Sequence, residues 1–151
     1  MNEVIGYFVT WTAYGTWLPG DSRGWQKWHQ GWQRPNLALQ LYSSKIMTED
    51  PVFLTSEQRT TVETTIRKHC ELRQWHLWAV NCRTNHAHVV LTARDVLGTT
   101  TRDQLKAWCT RNLKTAFNPR KKNWWAEGGY VDDLETEDDL SAAIEYTLNA
   151  Q

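Results

Sequence analysis

A chain of 151 residues, 40% hydrophobic and 23% charged, is long enough to bury one core and is sized for a single domain spanning residues 1–151. Three widely spaced cysteines (Cys70, Cys82, Cys109) argue against a disulfide framework or a paired zinc site and suit free thiols in a reducing compartment. No apolar run reaches membrane-span length and no leader pattern opens the chain, so the expectation is a cytoplasmic protein without membrane contact.

Val4 to Thr12 (VIGYFVTWT) is rich in β-branched and aromatic residues and reads as a strand. It runs into AYGTWLPGDSRGW, where Gly15, Pro19-Gly20-Asp21 and Gly24 enforce turns. From Ala13 to about Pro51 no period is sustained, apart from a short strand expected at Leu37 to Ser43, and a loop this long is usually functional. Thr55-Ser-Glu-Gln58 is a capping box that starts a helix running to about Gln74, with Val62, Ile66 and Cys70 inward. Trp75 to Cys82 reads as a central strand, Arg83-Thr84-Asn85 as a turn, and His86 to Ala93 as the next strand. Thr99–Thr101 are expected to cap a second long helix with Leu105, Trp108, Cys109, Leu113 and Phe117 inward, ended by Asn118-Pro119. Trp124 to about Val131 suggests a fourth strand, and Thr136-Glu-Asp-Asp139 opens a final helix.

The resulting class is α+β. The order β-α-β-β-α-β plus a C-terminal helix is the split βαβ, ferredoxin-like arrangement. It predicts one antiparallel sheet with both main helices on one face and the other face open.

The formal charge is zero, but its distribution is uneven. Residues 1–125 carry all 17 Lys and Arg against 9 acidic residues, a net +8, whereas residues 126–151 carry 8 acidic residues and no basic one. Such a basic body suits phosphate binding, because the local field decides; scattered surface charge explains it equally simply. Ten tryptophans stand out. Trp11, Trp17, Trp25, Trp28 and Trp32 crowd the first 32 residues, interleaved with Arg23, Lys27, His29 and Arg34. Indole faces stack on unpaired bases, so this suits single-stranded nucleic acid; core filling is the competing explanation. Lys106, Arg111 and Lys114, followed by Arg120-Lys121-Lys122, form the strongest basic cluster.

In His86-Ala-His88-Val-Val-Leu-Thr92, alternation separates apolar Ala87, Val89 and Leu91 from His86, His88, Val90 and Thr92. Both imidazoles therefore fall on the face away from the helices, at i and i+2. Two histidines so placed suit joint binding of one divalent metal, with open positions for phosphate oxygens; a lone H-x-H is equally a surface pair. On the final helix the inner stripe is Leu140, Ala143, Ile144 and Thr147/Leu148, which leaves Tyr146 off the core face. A tyrosine so placed is available to attack a metal-polarised phosphate. Tyr130, beside Gly128-Gly129, is a weaker candidate nucleophile.

Three stretches, YFVTWTAYGTWLPGDSRGW, NCRTNHAHVVLTA and DDLSAAIEYTLNAQ, together resemble the REP-associated tyrosine transposases and related insertion-sequence transposases, whose catalytic domain is a ferredoxin-like HUH single-tyrosine nuclease. The resemblance spans nearly the whole chain. It implies that His86 and His88 hold Mg²⁺ or Mn²⁺ on the scissile phosphate. It also implies that Tyr146 is the nucleophile, giving a 5′-phosphotyrosine and a free 3′-OH. The substrate implied is single-stranded DNA folded as hairpins, contacted by Trp17, Arg23, Trp25, Lys27 and Arg34 of the Trp-rich loop and by Lys106, Arg111, Lys114, Arg120, Lys121 and Lys122. It places the protein at the nucleoid, as monomer or homodimer. The family's third ligand, Gln or Asn one helical turn after the tyrosine, falls here on Ala150, with Asn149 and Gln151 on either side as the candidates. The alternative is a non-cutting hairpin- or repeat-binding protein of the same fold. A phosphoesterase with paired His-x-Thr/Ser motifs is disfavoured, since no second copy exists.

Overall fold

The computed structural model describes residues 3–27 and 30–149. Strand β1 (Gly6–Thr12) lies inside a four-stranded antiparallel sheet, between β5 (His86–Thr92) and β6 (Tyr130–Leu134), with β4 (His76–Cys82) beyond β5 at the edge rather than in the centre as expected. Helices α2 (Ser56–Arg73) and α3 (Gly98–Ala116) make the two crossovers, giving the ferredoxin-like β-α-β-β-α-β order expected. Their inward residues Val62, Ile66, Cys70, Leu105, Cys109 and Leu113 pack against Val9, Trp11, Ala87, Val89 and Leu91, which form one face of the sheet by simple alternation. The three cysteines are buried free thiols.

Long α2 starts where the capping box predicts. The Thr55 hydroxyl accepts from Gln58 N–H (3.2 Å) while Gln58 Oε1 accepts from Thr55 N–H (2.9 Å). By contrast, α3 begins at Gly98 after Leu97, with no side-chain cap, so Thr99–Thr101 lie in its first turn rather than capping it. Thr101 is fully buried and turns its hydroxyl onto the Gly98 carbonyl (2.6 Å). Leu105, Cys109 and Leu113 face inward as expected, but Trp108 and Phe117 lie at the rim, 39% and 37% exposed.

The 13–51 segment is more ordered than its composition suggested. It holds a short hairpin, β2 (Trp25–Lys27) with β3 (Gly31–Gln33), and a helix, α1 (Leu37–Lys45), where a strand was expected. Asn36 decides the outcome: its side chain caps Leu39 N–H (3.1 Å), and the leucines and glutamine that follow are good helix formers. The fourth sheet strand also starts later than expected. Trp125 makes only an isolated bridge to Ala13, and Gly128 and Gly129 both have positive φ, so regular pairing waits for Tyr130.

The second face of the sheet is not open. Helix α4 (Glu137–Asn149) lies across it, packing Leu140, Ala143 and Ile144 on Phe8, Ala79, Val90 and Leu134. Val90 and Leu134 are apolar positions on that face and need a cover, which the final helix provides. At its far end α4 is fixed by a hydrogen bond from Asn81 Nδ2 on β4 to the Thr147 carbonyl (2.9 Å), one of the last-turn carbonyls that a helix leaves without a partner of its own.

Thr55→Ala removes the α2 cap and is expected to cost about 1 kcal/mol, read as a fall of roughly 2–4 °C in the thermal unfolding midpoint. Asn81→Ala is expected to cost a similar amount, about 1 kcal/mol, and to loosen the last turn of α4 first. Hydrogen exchange at the 145–149 amides checks this; unchanged protection there would show that apolar packing alone seats the helix.

Candidate active site and DNA-binding surface

Antiparallel register brings one row of residues together beneath the C-terminal half of α4: Asn81 on β4, His88 on β5, Thr10 on β1 and Tyr130 on β6 are direct cross-strand neighbours on the same face. His86, two residues earlier on β5, pairs with Thr12 and leads off that row. The two imidazole centroids lie 4.6 Å apart. Tyr146 is 59% exposed, yet its ring meets His88 edge-on at 5.5 Å and Phe8 at 5.8 Å. Phe8 stacks on His88 at 5.6 Å and meets Tyr130 at 6.4 Å, so one phenylalanine props both tyrosines and the buried histidine.

Each histidine uses Nδ1 for support. His86 Nδ1–H donates to Asn85 Oδ1 (2.8 Å), and His88 Nδ1 hydrogen-bonds Thr10 Oγ1 (2.8 Å). When Nδ1 is the donor in each pair, both Nε2 atoms are lone-pair donors, the tautomer a metal needs. Burial, with lesser contributions from His86 and Arg83, pushes the His88 imidazole down to about 4; burial and Arg83 also lower His86. Both rings are therefore neutral at neutral pH, without proton competition for a cation.

The donor set fits a divalent ion bound through two imidazoles. Among the described residues no cluster of three or more His, Cys, Asp or Glu exists. Asn149, one candidate for a third ligand, donates its amide to the Glu145 carbonyl of its own helix (2.8 Å). Gln151, the other candidate, and Ala150 between them lie outside the described residues, as do Trp28 and His29.

The candidate DNA contacts separate into two kinds. Arg23 and Lys106 are spent internally. Arg23 clamps buried Asp21 through Nε and Nη2 (2.8 and 2.7 Å) and lies over the Trp17 ring at 4.0 Å. Lys106 Nζ donates to the carbonyls of Ala126 and Gly128 (2.8 and 2.6 Å), and burial drops its pKa to about 8. Lys121 is held between Glu49 (3.6 Å) and the Tyr14 and Trp124 rings. Trp17 and Trp25 donate their indole N–H groups to the carbonyls of Gly24 and Arg34. Lys27, Arg34, Arg111, Arg120 and Lys122 are exposed, and Lys114 is half-buried. Tryptophans divide the same way: Trp11, Trp75, Trp124 and Trp125 are core, whereas Trp17, Trp32, Trp78 and Trp108 reach the surface.

Sequence reasoning passed over the residues that join these parts. Glu49 accepts from the backbone N–H groups of Lys122 and Asn123 (3.1 and 2.7 Å), stapling the basic segment to the long excursion after β1. That excursion leaves the sheet beside the histidines, where Ala13 N–H donates to the Asn85 carbonyl (2.7 Å). Thr10, Asn85 and Phe8 are equally unmarked in the sequence, apart from the alternation that faces Phe8 and Thr10 the same way.

No protein-family model matches the chain, and no curated protein matches it either. Among solved structures, the chain is similar to a REP-associated tyrosine transposase bound to a REP hairpin, with a TM-score of 0.58 and 13% identity over 97% of this chain and 66% of that one. It is similar also to a candidate transposase from Deinococcus radiodurans R1, with a TM-score of 0.56 and 15% identity over 99% of this chain and 92% of that one. At these identities the likeness is one of fold: this chain has the fold of those transposases along almost its entire length.

Proposed function

We propose that the protein is a metal-dependent single-stranded DNA endonuclease and strand transferase of the HUH tyrosine transposase type, acting at hairpin-forming DNA. The observation that carries this reading is the meeting of Tyr146 with His88, and of His88 with His86, on a sheet face otherwise given over to packing. The transposase fold, and the hairpin bound to one protein that shares it, support the choice of DNA as substrate.

In this reading His86 and His88 would hold Mg²⁺ or Mn²⁺ through Nε2, and the ion would withdraw charge from the scissile phosphate. Thr10 and Asn85 fix the ring orientations. Tyr146 Oη loses its proton to water and attacks phosphorus. The bond from phosphorus to the 3′ oxygen breaks, that oxygen takes up a proton, and the 5′ phosphate stays on the tyrosine. Attack by a 3′-OH on the phosphotyrosine reverses the sequence and joins strands, because the ester keeps the energy of the broken bond. Phe8 gives the phenol ring a fixed wall while its exposed side admits the strand.

A second reading, a hairpin-binding protein that does not cut, draws on Asn149, whose amide is turned back on its own helix.

Labelled hairpin DNA from the sequence flanking this gene, incubated with Mg²⁺, Mn²⁺ or EDTA, separates the two. Cutting with a covalent adduct is expected with metal and absent with EDTA. Tyr146→Phe is expected to form no adduct, and His88→Ala to cut at least about 100-fold more slowly, the equivalent of losing several kcal/mol of charge stabilisation. Adducts persisting in Tyr146→Phe would move the nucleophile to Tyr130; binding without cutting in every metal would establish the second reading. Thr10→Val is expected to weaken Mn²⁺ binding about 10- to 100-fold, measured by electron paramagnetic resonance on the protein alone; unchanged affinity would remove Thr10 from the support of His88.

A further inference from the structure

At the opposite end of α4, where the end of the sheet meets the C-terminus of α2, lies a cleft of about 750 Å³ that no part of the catalytic arrangement uses. Register places it there: His76 pairs with Thr92 at the far end of β4 and β5, and Leu140 of the first turns of α4 closes one side. Thr92 lies four residue steps along β5 from His88, about 13 Å of strand.

A β-bulge between Leu77 and Ala79 puts Trp78 out of the ladder. The indole is 43% exposed but held, since its N–H donates to Thr92 Oγ1 (2.9 Å) and its ring lies 4.1 Å from that of His76. Arg73 and Arg94 line the cleft, are exposed, and make no ion pair among the described residues. Glu135 and Glu137 line it as well, exposed likewise.

A rigid, half-open indole beside two unengaged guanidinium groups is the chemistry that stacks a base and receives its phosphate, and carboxylates accept from exocyclic amino groups of A, C or G. Both arginines line the cleft that holds the exposed indole. We propose that this cleft is a second DNA subsite, which holds an unpaired base of the strand on Trp78, with Arg73 and Arg94 on the flanking phosphates. It rests on the DNA-processing reading above and adds to it a recognition point remote from the tyrosine.

The test uses the full chain carrying Tyr146→Phe, so that binding alone is read. The probes are a fluorescein-labelled DNA hairpin bearing a mixed-sequence single-stranded arm and the same hairpin without the arm, followed by fluorescence anisotropy. Trp78→Ala, and separately Arg73→Ala with Arg94→Ala, are expected to weaken binding of the armed hairpin roughly 10-fold and to leave the armless hairpin unaffected, while Trp78→Tyr keeps the parent affinity. One abasic position in the arm is expected to reproduce the loss in the parent and to add nothing in Trp78→Ala. An arm that adds no affinity in the parent, or equal affinity for the armed hairpin in Trp78→Ala, overturns the subsite. Neither result bears on cutting by the wild type, whose absence would overturn the nuclease reading alone.

Discussion

Everything the site can do depends on α4 lying across the second face of the sheet. That face carries Val90 and Leu134, which need covering, beside His88 and Thr10, which need orienting. One helix meets the first need with Leu140, Ala143 and Ile144, and the same seating sets Tyr146 beside the imidazole. The Asn81 amide, bound to the Thr147 carbonyl, is the polar contact that sets how far along the sheet the helix end comes to rest. Burial is also the main cause that lowers the His88 pKa.

The balance of charge is resolved in space rather than in sum. Several cations that looked available for phosphate are structural: Arg23 closes a turn on Asp21, Lys106 holds the carbonyls before β6, and Lys121 lies between a carboxylate and two aromatic rings. Their work shapes the surface on which Lys27, Arg34, Arg111, Arg120 and Lys122 remain exposed. Glu49 unites two halves of that surface that are far apart in the chain.

How much was legible follows from which signals are local. The capping box at Thr55, the alternation of His86 to Thr92 and the phase of α4 are properties of short windows, and each agrees with the structure, except that Thr147 is buried while Leu148, expected inward with it, is exposed. The ferredoxin-like order followed from them. The helix at Leu37 and the hairpin before it were missed because the segment lacks a strong period and Asn36, a single capping side chain, tips the balance. The open face was misjudged for another reason: Val90 sits among the polar alternates of β5, and its apolar nature signalled a cover that only the placement of α4 supplies. Thr10, Asn81 and Phe8 were invisible as site residues because their roles arise from register between strands, which no window contains.

The row that supports the phenol draws on residue 10 in the first strand, residues 81 and 88 in the middle of the chain, and residue 146 in the last helix. Contacts of such sequence separation form late, after the loops between them have closed. During synthesis the histidines and their strands emerge well before the helix that brings the tyrosine. A half-made chain therefore has no phenol beside its imidazoles, and the reactive pairing comes into being only with the completed fold.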